Sequence, residues 1–250
     1  MKALILRLDA PLMSFGTVMV DHHGFIDRFP GMSMVVGMIG NALGWDHGGA
    51  VRLTNLQSHL QFAARWDVVP EEFVDYQTVD LSQPKMTAPF WTTRGEVERR
   101  AGGSASKGTH QRYRHFWADG LMTVALSVDD GGRPDLLAIG EALSYPIRPL
   151  FFGRKGCLPG RPVLNPHHAW MEGPDLLTIL SRVDVWDRDG KINVDSEPRE
   201  GCWPCSLAES EKARTIYDLR DWSTQLMSGS RRRCEGLVRR DYRGTTLGGD

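Results

Sequence analysis

RFPGMSMVVGMIGNALGW, from Arg28 to Trp45, reads as an entry turn, a helix and a stop. Pro30 biases Phe29 away from the α region and Gly31 is flexible, so the helix has to begin after them. Ser33 is the expected N-cap, its hydroxyl accepting a backbone N–H of the first turn. Met34, Val35, Met38, Ile39 and Leu43 recur at helical spacing, and Gly44 stands where a C′ glycine closes a helix. Gly37 and Gly40 each cost about 1 kcal/mol relative to Ala inside a helix, so something must approach this backbone closely. Either the helix packs on a sheet, or its start accepts a phosphate backbone through free N–H groups and the positive dipole end.

Working outward, Lys2–Asp9 is a central strand built on Leu4, Ile5, Leu6 and Leu8, followed by the turn APLMSFG at 10–16 and a loop over 17–32. A short helix over Val51–Leu56 and a strand over Leu60–Val69 come next. In that strand Arg65 and Asp67 point away from Phe62 and Ala64. Leu121–Val128 is a further strand. Pro134 opens a helix through Leu143, and Tyr145–Phe152 is a fourth strand, bent or at an edge because of Pro146 and Pro149. The order strand, helix, strand, insertion, strand, helix, strand is the βαββαβ pattern of an α+β, ferredoxin-like domain. It occupies residues 1–152. Residues 153–250 form a Gly/Arg-rich loop and a small, mostly β C-terminal domain, with strands over Leu176–Leu180 and Arg182–Trp186 and an irregular stretch over Glu197–Glu209.

The insertion, about 75–116, loses apolar periodicity, and loops of that length are usually functional or mobile. Between Arg94 and His115 the basic residues are Arg94, Arg99, Arg100, Lys107, Arg112 and Arg114, opposed only by Glu96 and Glu98. Trp91, Tyr113 and Trp117 lie beside them. Charge for phosphates and rings for bases are what single-stranded nucleic acid requires, although a solvated loop has the same composition. Phe152-Gly-Arg-Lys-Gly-Cys157 is a doubly basic glycine loop that can wrap an anion. It lacks P-loop spacing. The arginines at 231–233, 239–240 and 243 form either a third basic patch or a solvated tail.

The chain has 250 residues, is 41% hydrophobic and 24% charged, and carries a net charge of −1. That is an ordinary globular composition without a global basic field, so nucleic-acid binding must rest on local patches. No apolar run is long enough for a membrane span, and the N-terminus reads as a strand rather than an export signal. The four cysteines are therefore expected reduced, in a cytoplasmic protein. Cys202-Trp-Pro-Cys205 lacks the context of a thioredoxin motif, and a four-cysteine zinc site lacks the usual close spacing. His22-His23 has few partners at metal-ligand spacing. No metal or cofactor is expected.

Several segments together resemble a known family. Leu6-Arg7-Leu8 with Pro11-Leu-Met-Ser-Phe-Gly16, the Arg28–Gly44 helix, Asp75-Tyr-Gln-Thr78, Arg112-Tyr-Arg114 with Ala118-Asp119, and Arg148–Cys157 occur in the order found in the CasD family of RAMP proteins. These are crRNA 5′-handle-binding subunits of type I-E CRISPR Cascade. The resemblance covers about residues 4–160. It implies a ferredoxin-like, RRM-related domain with a thumb-like insertion. It also implies a non-catalytic subunit that grips the 5′ handle of the guide RNA and caps the backbone filament. The implied partners are crRNA, the backbone subunit, the large PAM-reading subunit and target DNA near the first guide segment.

On this resemblance and the basic loops, the RNA contacts are Ser14, Phe15, Arg28, Ser33, Gly37, Tyr76, Lys107, Arg112, Tyr113, Arg114, Arg154 and Lys155. Met32 and Met34 stand where the family has a basic residue and a glycine, so phosphate binding at the helix start falls to backbone N–H groups and Ser33. Met13 stands where the family tends to have glutamine. An alternative is a metal-independent endoribonuclease like the type I-C relatives, using Tyr76, Lys107, His110 and His115. A third reading is a protein–protein adaptor.

Overall fold

The computed structural model describes residues 1–17, 19–80, 90–91, 97–98, 108–193 and 197–241. It is an α+β structure dominated by antiparallel sheet. Its principal elements are β1 (Lys2–Asp9), α1 (Met32–Ala42), α2 (Ala50–His59), β2 (Leu60–Val68), β3 (Glu71–Asp80), β4 (Thr109–Ala118), β5 (Leu121–Val128), α3 (Leu136–Ser144), β6 (Trp170–Glu172), α4 (Leu176–Arg182), β7 (Arg199–Pro204), β8 (Lys212–Arg220) and β9 (Met227–Val238). Seven strands form one antiparallel sheet in the order β6-β1-β5-β2-β7-β9-β8.

The strand alternation sorts two cores. Leu4, Leu6, Leu8, Phe62, Ala64 and Trp66 face α1, α2 and α3, while Ala3, Ile5 and Ala63 face α4. The central strands are thus buried on both sides, which is why β1, β2 and β5 read as continuous apolar runs. Arg65 and Asp67 do lie opposite Phe62, but under α4. Arg65 donates to Asp67 at 2.8 Å and to the carbonyls of Leu180, Val183 and Asp184, and Asp67 also accepts from Thr123 Oγ1. The buried pair therefore ties β2 to the end of α4.

Helix α1 starts one residue before Ser33. Gly31 is the cap, no side chain of the helix caps it, and the Met32 N–H donates to Asp218 Oδ2 at 2.7 Å. The expectation of a Ser33 N-cap is corrected: an acid from β8 satisfies the helix start, and Arg231 of β9 pairs with that acid at 2.9 Å. The helix ends as expected, with Gly44 in the left-handed region at φ 71°. What approaches the two internal glycines is side chain. Leu53 lies against Gly40 and the Trp222 ring against Gly37.

Four further expectations change. Residues 145–152 form no strand, because Pro146 and Pro149 remove ladder donors; the edge beside β1 is taken by β6 instead. Leu176–Leu180 lies in a helix whose N-cap Asp175 accepts the Thr178 N–H at 2.8 Å. The stretch 197–209 contains β7, which sits inside the sheet between β2 and β9. Arg231, Arg232 and Arg233 belong to β9 rather than to a tail.

The cysteine expectation changes too. Cys205 and Cys234 are disulfide-bonded, whereas Cys157 and Cys202 are free and buried. Burial pushes the Cys202 thiol up to about 12, so it stays protonated and inert. Among the described residues no helix is long and apolar enough to cross a membrane.

Candidate nucleic-acid interface

The insertion is a long hairpin. β3 and β4 pair without interruption from Glu71↔Ala118 to Asp80↔Thr109, and its sequence between 81 and 107 is described only at 90–91 and 97–98. His23–Gly24 adds a parallel strand on the other side of β4, opposite Tyr113 and Arg114. Leu12–Met13 pairs with the base of β4 at Ala118 and Trp117. The product is a four-stranded ribbon in which Leu12–Met13 and His23–Gly24 share one edge of β4 and β3 takes the other.

Alternation gives this ribbon two chemically different faces. Register puts Glu72, Val74, Tyr76, Tyr113, His115, His23 and Phe25 on one face. The His23 ring stacks on Phe25 with centroids 5.3 Å apart and on Tyr113 at 4.6 Å, and Tyr113 meets Tyr76 at 4.9 Å. His23 Nδ1 lies 3.3 Å from His115 Nε2, and His115 Nδ1 lies 2.6 Å from Glu72 Oε1. Phe25 and Tyr76, the end rings of this stack, are exposed.

The opposite face carries Arg112, Arg114, His110 and His22 beside Asp75 and Gln77. Among the described residues neither Arg112 nor Arg114 forms an ion pair; Arg112 donates to the Asp21 carbonyl at 3.4 Å. Arg112 and Arg114 are therefore separated in space from Tyr113 between them, while Phe73 and Phe116 lie on the charged face towards the ribbon base. His22 and His23 likewise point to opposite faces, so they cannot jointly hold an ion.

The loop Phe152–Cys157 locks onto the ribbon base. The Ser14 N–H donates to the Phe152 carbonyl at 3.0 Å. Gly153, at φ 95°, is irreplaceable there, since a Cβ would sit 1.7 Å from the Ser14 carbonyl oxygen. Arg154 turns inward. It donates to the carbonyls of His115 at 3.0 Å and Gly24 at 3.1 Å, and its guanidinium lies 4.7 Å from the Phe116 ring centroid. Burial, then the neighbouring Arg114 charge, lowers its pKa. Lys155, by contrast, is exposed and forms no ion pair among the described residues.

The ribbon is anchored by acids that sequence reading missed. Arg28 lies 5.4 Å from the Trp66 ring and 4.9 Å from Trp117, and donates to Glu200 of β7. Trp117 Nε1 donates to the Asp27 carbonyl at 2.7 Å, and Asp27 Oδ1 accepts from Arg233 at 2.7 Å and Arg214 at 3.2 Å. Arg28 is thus a partly buried strut already neutralised by a carboxylate.

Of the residues proposed from sequence, Arg112, Arg114 and Lys155 present open charge, and Tyr76 and Tyr113 share the aromatic face. Phe15 is fully buried against Trp66 and Ser14 is 2% exposed, so neither offers its side chain to a ligand. Ser33 lies inside α1, whose start Asp218 occupies, and Gly37 is backed by Trp222. Lys107 lies outside the described residues. The proposed catalytic set is divided, with Tyr76 and His115 on one face and His110 on the other. His23, Phe25 and Glu72 were not singled out as a group. Their only sequence signal was the histidine pair, which suggested a metal rather than a stack.

The model of the CRISPR-associated protein (Cas_Cas5) family matches residues 3–243. The chain belongs to the Cas5 family. A curated relative, CRISPR system Cascade subunit CasD of Escherichia coli (strain K12), is 28% identical over 154 residues. That match covers 62% of this chain and 66% of the relative. A solved structure described as a CRISPR RNA-guided surveillance complex shares the Cas5 chain's fold with a TM-score of 0.68 at 22% identity, over 95% of this chain and 90% of that one. Another, described as a crystal structure of Cas protein, gives 0.64 at 24% identity, over 95% of both chains.

Proposed function

We propose that this Cas5-family chain is a non-catalytic crRNA-binding subunit of a type I-E Cascade complex. It grips the 5′ handle of the guide RNA and caps the backbone filament. The observation that carries this reading is the two-faced ribbon. Among the described residues Arg112 and Arg114 lie without carboxylate ion pairs on one face, Lys155 is exposed on the loop at the ribbon base, and an open stack of rings lies on the other face. A single strand passing around the ribbon edge meets phosphate donors on one face and stacking surfaces on the next. The division of Tyr76 and His115 from His110 argues against the endoribonuclease alternative, because a base and an acid must flank one scissile phosphate.

In this reading the β6-β1-β5-β2 half of the sheet is the ferredoxin-like domain, since its order and its α1 and α3 crossovers follow the split βαβ arrangement. Residues 1–152 with the thumb form the first part of the chain and residues 153–250 the second, and the second part supplies β6, the fourth strand of the ferredoxin-like half, so that the two share one continuous sheet. The partners are the Cascade backbone subunit, the large PAM-reading subunit and target DNA near the first guide segment, in the cytoplasm.

The test is one assay read two ways. Purified protein is mixed with labelled repeat RNA or with a handle oligonucleotide, at low and high salt. Salt-sensitive binding without cleavage is the expected result. Site-specific cleavage that resists EDTA would overturn the non-catalytic reading, and salt-insensitive association with partner subunits alone would favour an adaptor.

A further inference from the structure

We infer that His23 is a proton-linked RNA contact, its imidazolium binding a phosphodiester oxygen through Nε2, with Glu72 and His115 holding the ring in the form that can do so. This rests on the RNA-binding reading above and adds a residue and a pH dependence to it.

The geometry runs in one direction. Glu72 is the only carboxylate of the relay, so His115 Nδ1, 2.6 Å away, carries the hydrogen and donates to it. That leaves His115 Nε2 as an acceptor facing His23 Nδ1 at 3.3 Å. His23 Nδ1 therefore carries a hydrogen, and a second proton on His23 goes to Nε2. Among the described residues Nε2 has no protein partner. The ring plane is fixed by Phe25 and Tyr113, nearly parallel to it at 11° and 7°.

The charges on this face reinforce the direction. Glu72 comes from β3, His115 and Tyr113 from β4, Tyr76 from β3, and Phe25 from the added strand. Arg154, from the 152–157 loop, reaches only the carbonyls of His115 and Gly24. With His23 neutral, the relay carries the single negative charge of Glu72 and repels a phosphate. With His23 protonated the relay is neutral overall and places an N–H donor at its outer end. Histidine is the side chain type whose charge ordinarily changes between about pH 5 and 8, so a pH series across neutrality reads this contact.

The sign follows from linkage. A phosphate oxygen at Nε2 is held better by the imidazolium than by the neutral ring, so RNA binding through this contact takes up a proton. The extra affinity is therefore greatest in acid and is lost as pH rises.

The experiment measures the dissociation constant of a handle-length RNA oligonucleotide between pH 5.5 and 8.5 for four proteins. These are the wild type, His23→Gln, Glu72→Gln and, as a remote control, His168→Gln beside Asp184. Wild type and His168→Gln are expected to bind about tenfold more tightly at the acid end. His23→Gln is expected to bind with a flat profile, and Glu72→Gln with a reduced slope. The His23 C2 proton is followed in parallel by NMR, and its titration midpoint should rise when RNA is added. RNA binding with the same pH slope in wild type and His23→Gln, or a midpoint unmoved by RNA, overturns the inference while leaving the RNA-binding reading intact. No RNA binding at any pH overturns both.

Discussion

Arginines on the C-terminal strands and arginines on the ribbon have opposite surroundings. Arg214, Arg231, Arg232 and Arg233 of β8 and β9 are each paired with a carboxylate, and Arg233 is 1% exposed between Asp27 and Glu235. Arg112 and Arg114 stand on the ribbon with no such partner among the described residues. The difference teaches that a run of arginines in a sequence carries no charge information until the acids facing it are known. RRR at 231–233 is the denser cluster, yet Arg231 holds the start of α1 through Asp218, Arg233 holds the root of the ribbon through Asp27, and Arg232 faces Glu209 at the surface. The sparser set at 112, 114 and 155 is what remains to meet an anion.

The comparison can be broken most severely in the body. Asp67→Ala strands Arg65, which is 1% exposed, without its carboxylate. Removing one partner of such a buried pair costs about 3–5 kcal/mol. Urea denaturation should show that loss; a change below 1 kcal/mol, roughly the worth of a surface pair, would mean that the carbonyls of Leu180, Val183 and Asp184 suffice for Arg65.

A smaller effect sharpens the contrast within one loop. Arg154→Ala removes two hydrogen bonds to carbonyls and a cation–π contact, and should destabilise the protein by about 1–3 kcal/mol. Lys155→Ala should leave stability within about 0.5 kcal/mol and weaken RNA binding instead. Thermal melts and RNA titrations of the two variants read both quantities. Equal effects in both assays would erase the distinction between strut and contact.

The smallest concerns a cap. Burial pushes the Asp175 carboxyl up, but the N–H and hydroxyl of Thr178 outweigh it and hold the pKa below the ordinary range. A depressed carboxylate stabilises the fold above its unfolded pKa, and this is lost as pH falls through the lower folded value. Asp175→Ala should therefore cost about 1 kcal/mol at neutral pH. The gap to wild type should close in acid, which denaturation curves at pH 7 and below pH 3 compare.

What was legible in the sequence follows from burial. β1, β2 and β5 are apolar on both faces and α1 carries helical spacing with a closing glycine, so their pattern survives without tertiary information. β3 and β4 read as a loop in the sequence because, beyond the base at Phe116 and Trp117, neither face of the ribbon enters the core. A strand that is solvated on both sides shows no alternation of apolar and polar residues. The helix at 176–182 was misread because seven residues are too few to display a period, and its cap Asp175 was the better signal. In the site, the basic composition of the insertion was legible. Its division into a charged and an aromatic face depends on register, which composition does not carry. Ser14 and Phe15 were assigned to RNA although the motif they belong to is a packing motif here, with Phe15 against Trp66 and Ser14 under Gly153.

The most direct test of the central claim is the salt dependence of RNA binding by wild type and by Arg112→Ala/Arg114→Ala. For a single strand each lost phosphate contact lowers the slope of log affinity against log salt by about 0.7. The account predicts a slope smaller by about 1.4 with the melting temperature unchanged. An identical slope in the double variant would contradict it, because the open charge of the ribbon would then not be what holds the RNA.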